Sequence, residues 1–265
     1  MKKFITRSLI ITIMAIIVFP VSLLAANHYI RQGSSGLNNG SDWSNAWTEL
    51  PENLVRGDTY YVADGIYLGH IFNNAVDGTK VITVKKATAI DHGTDIGWQS
   101  SYGDGQAVFQ YPKVTAADEK TVISFRTSYI TFDGSVGSGS NIGSYGFRVK
   151  YPGDMGEADN ASTLRSDITG IGLPPTGYSS LAVSNIKVSH VAVEGPGAIS
   201  CTEGTPYTCS NAGISGNSAN ASNIEIAYTY LFGWQTQISL FNTKYVVVHD
   251  NYLDSNTSSS TGGHG

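Results

Sequence analysis

Beyond residue 26, apolar and polar residues alternate in short runs, and turn residues separate one run from the next. Such alternation is typical of β-strands with one buried face, whereas a helix repeats its apolar positions about every three to four residues. Only Ser44–Leu50 has a helical pattern, with Ser44 as N-cap and Pro51 after its end. The pattern therefore predicts an all-β fold with one short helix near its start. The predicted strands are Thr59–Val62, Lys80–Val84, Val122–Phe125, Tyr129–Phe132, Gly146–Val149, Asn185–Val188, Asn223–Ile226, Gln237–Leu240 and Tyr245–Val248.

Some of these runs repeat one another, with Ser first and an aliphatic–polar–apolar triplet from the third position. Ile186, Ile224 and Val246 occupy equivalent positions that are 38 and 22 residues apart. A repeat of about 20–30 residues with one strand per unit indicates a solenoid. Gly213–Ser215 and Ile238–Leu240 form a second series, so each coil has at least two strands. These features predict a right-handed parallel β-helix, and an antiparallel sandwich is the alternative. The copies are Ser128–Asp133, Ser184–Ser189, Ser222–Ala227 and, more loosely, Thr243–Val248.

The first 26 residues have the pattern of a secretory signal peptide. Lys2, Lys3 and Arg7 precede an apolar run from residue 9 to 24, and small residues at 25 and 26 suit a cleavage site. An uncleaved membrane anchor is the alternative, although the run is shorter than the ~20 residues that span a bilayer. We expect a secreted, periplasmic or surface protein with no membrane association after cleavage.

Composition narrows the class of protein. Charged residues make up only 14% of the 265 positions, while aromatic residues make up 11%. A disordered chain would be richer in charge and poorer in aromatic residues. Removal of the three signal-peptide cations changes the formal net charge from −5 to −8. This balance excludes a globally basic nucleic-acid-binding protein.

The two cysteines, Cys201 and Cys209, lie in the longer of the two repeat steps. In an exported protein they favour a disulfide that closes an inserted loop. A metal site is the alternative, but it needs further ligands, and Glu203 alone does not provide them.

Three segments resemble the pectate-lyase-like parallel β-helix superfamily. Arg56–Tyr67, with the sequence RGDTYYVADGIY, resembles the first coil of that superfamily. Gly40–Trp47 resembles its N-terminal cap, and Gly78–Val84 resembles the second strand of the first coil. The resemblance implies a cap at residues 27–57 and coils over residues 58–265. No capping segment follows Leu253, so we expect the natural chain to continue past Gly265.

The same resemblance implies a protein that acts on or binds polysaccharides, because most members of the superfamily do so. The first expectation is a polysaccharide lyase acting on uronate-containing glycans, with a glycoside hydrolase as a weaker option. A non-catalytic glycan-binding or adhesin-type surface protein is the alternative, since the fold does not fix the function.

Candidate site residues lie on or just after the predicted strands. Arg148 and Lys150 point outward on one strand and could bind a uronate carboxylate. His249 and Asp250 follow another strand and could form a base with its orienting carboxylate. Asp250 and Asp254 could instead hold Ca²⁺. The structural alternative for His249 and Asp250 is a turn cap, and Lys187 with Glu225 is expected to form a surface ion pair.

Overall fold

The structure is a computed structural model that describes residues 25–110, 121–151, 168–175, 177–195, 211–234 and 236–254. In these residues eighteen strands, β1 to β18 in chain order, form three sheets in which all neighbouring strands are parallel. Sheet A contains β1 (Asn27–Ile30), β2 (Thr59–Val62), β5 (Ile82–Lys86), β8 (Ile130–Asp133), β11 (Ser184–Ser189), β14 (Ser222–Ala227) and β17 (Lys244–His249). Sheet B contains β3 (Gly65–Leu68), β6 (Ala107–Gln110), β9 (Phe147–Lys150), β12 (Val191–Glu194), β15 (Tyr230–Phe232) and β18 (Tyr252–Leu253). Sheet C contains β4 (His70–Phe72), β7 (Thr121–Phe125), β10 (Ile168–Gly172), β13 (Asn211–Asn217) and β16 (Thr236–Phe241).

The chain visits the three sheets in a fixed order. From β2 onward, each strand of sheet A is followed by one of sheet B and then one of sheet C, and β17 begins the next coil. Ile186 pairs with Ile224, and Ile224 pairs with Val246, so the predicted repeat is the observed register. The all-β class is confirmed, and the order of strands is that of a parallel β-helix. The alternative prediction, an antiparallel sandwich, is wrong because all paired strands are parallel.

The core consists of apolar rows that run along the stack. In sheet C, the inward position holds Ile123, Ile171, Ile214 and Ile238 on successive strands. Sheet A contributes a similar row that includes Ile130. Each coil is too thin to bury its own apolar side chains, so its neighbours above and below complete the core.

The short helix predicted over Ser44–Leu50 is wrong. These residues form bends, and Trp47 forms an isolated parallel bridge with Ile30. The Trp47 N–H donates to the Tyr29 carbonyl, and the Trp47 carbonyl accepts from the Arg31 N–H, so this backbone pairs alongside strand β1 instead of closing a helical turn. The Trp47 ring packs against His28 and Tyr60 at the start of the stack.

Several predictions concern residues outside the described part of the chain. They are the signal sequence at residues 1–24, the disulfide between Cys201 and Cys209, and the polar end from residue 255. In the residues that the structure describes, no helix is both long and apolar enough to cross a membrane.

Candidate functional site

The outer face of sheet A carries polar side chains in rows along the stack. Parallel pairing places Thr59, Thr83 and Thr131 in register on successive coils. The same row continues through Lys187 and Glu225. Neighbouring strands lie ~4.8 Å apart, so equivalent side chains on adjacent coils are within contact distance. The row changes from neutral hydroxyls to charged groups between β8 and β11.

A groove of about 430 Å³ lies where the charged residues begin, and it crosses β11, β14 and β17. Its lining combines two amides, two charged groups, an imidazole and an exposed apolar side chain. These side chains are Asn185, Asn223, Lys187, Glu225, His249 and Val247.

Glu225 is the centre of the charged part of the groove. Its Oε1 accepts from Lys187 Nζ at 3.0 Å and lies 3.5 Å from His249 Nε2. The hydrogen bond from Lys187 holds the pKa of Glu225 below its ordinary value. Hydrogen bonding to Asp250 raises the pKa of His249. The ion pair predicted between Lys187 and Glu225 is thus present, and it is extended by an imidazole from the next coil.

The backbone bends sharply at both edges of this face. Asn185 and Asn223 precede the inward isoleucines and have φ values of 57° and 54°. His190 and Tyr228 follow the strands, with φ values of 55° and 51°. Asn and His tolerate this left-handed region better than most residues, whereas Tyr adopts it at a cost in local strain. Of these four residues, Asn185 and Asn223 line the groove.

Asp133 and His190 form a dyad between adjacent coils. Asp133 Oδ1 lies 2.7 Å from His190 Nδ1 and also accepts from the Ser189 hydroxyl and the Ser135 N–H. Burial raises the pKa of Asp133, but the bonds from His190 and Ser135 outweigh it, so the pKa lies below its ordinary value. The ionised carboxylate favours the tautomer with the proton on Nδ1, which leaves Nε2 as the basic nitrogen. The His190 ring stacks on Tyr228, with centroids 5.0 Å apart.

This dyad can transfer protons, since a carboxylate-oriented imidazole is a general base. The sequence analysis did not predict this dyad, because Asp133 and His190 are 57 positions apart in the chain. The repeat alignment contained the signal, since Asp133 ends one copy and His190 directly follows the next. Pairing of Asp133 with Ser189 brings the two side chains together.

Arg148 and Lys150 project outward, as predicted, but both contact Glu194 on the neighbouring strand β12. Arg148 Nε donates to Glu194 Oε2 at 2.7 Å, and a second guanidinium nitrogen contacts the same oxygen. Lys150 Nζ lies 3.8 Å from Glu194 Oε1. A ligand carboxylate at this position would compete with Glu194 for both cations.

One carboxylate oxygen of Asp250 and one of Asp254 bond to other side chains. Asp250 Oδ2 bonds to His249 Nδ1 at 2.8 Å, and Asp254 Oδ2 accepts from the Tyr230 hydroxyl at 2.9 Å. Next to Asp250, Asn251 Oδ1 accepts from the Thr229 N–H on the preceding coil. No three His, Cys, Asp or Glu side chains in the described ranges are grouped so that they could hold a metal ion. These residues therefore do not fit the oxygen-rich shell that Ca²⁺ requires.

The chain was also compared with known proteins. No protein-family model, curated protein or solved structure matches it.

Proposed function

We propose that this is an exported glycan-binding protein with a right-handed β-helix of the pectate-lyase-like kind, and that the groove on sheet A holds the glycan. The signal-like start of the chain supports export. Connections between parallel strands of one sheet are almost always right-handed, which supports the sense of the coil.

The groove is the observation that carries the proposal. Sugars present hydroxyls that both donate and accept hydrogen bonds, together with apolar C–H faces. In the groove Asn223 donates to Asn185 and Lys187 donates to Glu225, and the remaining donors and acceptors of these four side chains face a ligand. Val247 adds an apolar surface, being 57% exposed. Because these groups lie on three successive coils, a linear glycan can contact them in sequence along the stack.

The proposal is tested with a K187A/E225A double variant on a glycan array and by affinity electrophoresis with pectate, alginate and neutral glycans. We expect at least a tenfold loss of affinity, about 1.4 kcal/mol, for the glycan that the parent protein binds. Both side chains are more than a third exposed, so the change should not unfold the protein.

The matched control is K80A/D77A, which removes an exposed Lys–Asp pair with a separation of 2.6 Å. Its affinity should equal that of the parent. The proposal is wrong if the parent binds no glycan, or if both double variants lose affinity equally.

A second candidate function, which rests on the Asp133–His190 dyad, is that of a lyase. We propose that His190 Nε2 accepts the proton next to the carboxylate of a bound uronate. The resulting electron pair forms the carbon–carbon double bond as the glycosidic C–O bond breaks, and the leaving oxygen takes a proton from water.

The test measures unsaturated products from uronans by their ultraviolet absorbance, with the parent and His190→Asn. Asn tolerates the left-handed backbone at this position. We expect His190→Asn to lower the rate at least about a hundredfold, the usual contribution of a general base, with glycan binding retained.

His249→Asn is the comparison variant, because it removes the imidazole that the sequence analysis named as a candidate base. If His249→Asn lowers the rate and His190→Asn does not, the assignment of the base to His190 is wrong. If the parent forms no unsaturated product from any uronan, the lyase function is wrong, while the binding function is judged by its own experiment.

A further inference from the structure

A histidine occupies a core position that the other coils fill with isoleucine. His70, on β4, is in register with Ile123 and so begins the row that continues through Ile171, Ile214 and Ile238. The residue is 6% exposed, and its Nε2 is buried without a hydrogen-bond partner among the described residues. Its ring packs edge-on against Phe72, with centroids 4.6 Å apart.

The surroundings of His70 favour the neutral ring. Phe72 on its own strand and Ile123 on β7 are uncharged. Arg126, which follows β7, bonds to Ser124, whose side chain alternates outward between Ile123 and Phe125. Burial alone lowers the pKa of His70 to about 4. Among the residues that the structure describes, no carboxylate pairs with the ring, so an imidazolium at this buried site would lack a counter-charge.

Strand β4 is also the part of the first coil that can detach with the smallest loss of hydrogen bonds to its neighbours. It has three residues and lies at the edge of sheet C, where β7 is its single partner among the described strands. Beyond it, Arg56 donates to the carbonyls of Asn74 and Ala75 and to the Thr127 hydroxyl. This clamp fixes the chain just after the strand, so opening can be confined to the residues around β4.

We propose that His70 is an acid-operated switch, in which protonation brings the ring out of the core and detaches β4 from sheet C. Detachment uncovers the stacked rings of Phe72 and Phe125. The switch does not depend on the proposed glycan site, which lies on another sheet.

The sign of the pH dependence follows from the two protonation states. The open form binds a proton near pH 6.5, the ordinary pKa of His, whereas the closed form does so only near pH 4. The closed form is therefore fully favoured above pH 6.5 and loses its advantage as the pH falls toward 4. The opening equilibrium rises on the order of a hundredfold across this window. Carboxylates with lowered pKa values, such as Asp133, take up their protons below this pH window.

Hydrogen-exchange protection factors of the full chain, measured between pH 7 and pH 4, test the proposal. In the parent, protection of β4 should fall on the order of a hundredfold, while that of β11 and β14 stays constant. His70→Ile completes the isoleucine row and should keep β4 protected to pH 4. His249→Gln, which removes an exposed imidazole, should behave like the parent.

The switch is contradicted if the protection of β4 in the parent does not change between pH 7 and pH 4. It is also contradicted if β4 loses as much protection in His70→Ile as in the parent. An NMR titration of the His70 ring in the parent gives a test that needs no variant. An apparent pKa near 4.5 to 5.5, between the closed and open values, supports the proposal, and a value at or above 6.5 contradicts it.

Discussion

At the residue scale, a buried lysine shows how the stack accommodates a charge. Lys86 ends β5 at an inward position and is 1% exposed. Its Nζ contacts Asp64 Oδ1 at 2.6 Å and donates to the Ala87 carbonyl at 2.6 Å. Gly146 leaves room for the aliphatic part, because a Cβ there would lie 2.9 Å from Lys86 Cγ. Burial lowers the pKa of Lys86, and Asp64 opposes that effect.

Lys86→Met is expected to destabilise the protein by about 3 kcal/mol, since it leaves Asp64 without its counter-charge. A Lys86→Met/Asp64→Ala double variant should recover part of the loss, because no unpaired carboxylate remains. Urea unfolding of the parent and both variants measures the difference. A change within ~0.5 kcal/mol, the usual effect of a surface substitution, would show that the pair does not stabilise the fold.

Sequence reasoning succeeded at the residue scale where one repeat step separates the partners. Lys187 and Glu225 share a position in two aligned copies, so their contact follows from the stacking alone. Glu194, which holds Arg148 and Lys150, lies on a strand that the alternation did not identify. The contact between Asp133 and His190 depends on the bend after the strand, where φ is positive, and a one-face alternation pattern does not contain that information.

At the element scale, alternation identified strands well where one face meets solvent. In β5 and β9 buried and half-exposed residues alternate, and both strands were predicted. Strand β10, Ile168–Gly172, was not predicted, although β7, which is also buried at all five positions, was. Two of the five residues of β10 are glycines, which have no side chain to mark a face of the strand and so weaken the alternating signal.

The cap at the first coil is also an element-scale feature. The outer edge of β3 is covered by side chains, with Gln32 Oε1 accepting from the Ile66 N–H and Glu49 Oε2 from the Leu68 N–H. An uncovered strand edge is a template for aggregation. Irregular backbone can place both acceptors here, which explains why the segment containing Glu49 protects the edge without the predicted helix.

At the scale of the whole molecule, the spacing of similar strands was the informative signal. Steps of 38 and 22 residues belong to the same stack, because the strand register is the same across both steps. Stacking converts one short apolar pattern into continuous core rows, and it converts one outward position into a continuous polar row. The groove on sheet A and the His70 position both result from single changes within such rows.

Cysteine cross-linking tests this stacking most directly. Thr83 and Thr131 are 48 positions apart in the chain but are paired in register on the outer face of sheet A. Strands at ~4.8 Å satisfy the Cα separation that a disulfide needs. The T83C/T131C variant should yield a peptide pair linked through these positions after mild oxidation, and T83C/K187C, two coils apart, should not. Absence of the link in T83C/T131C, or equal linking in both variants, would contradict the parallel stack.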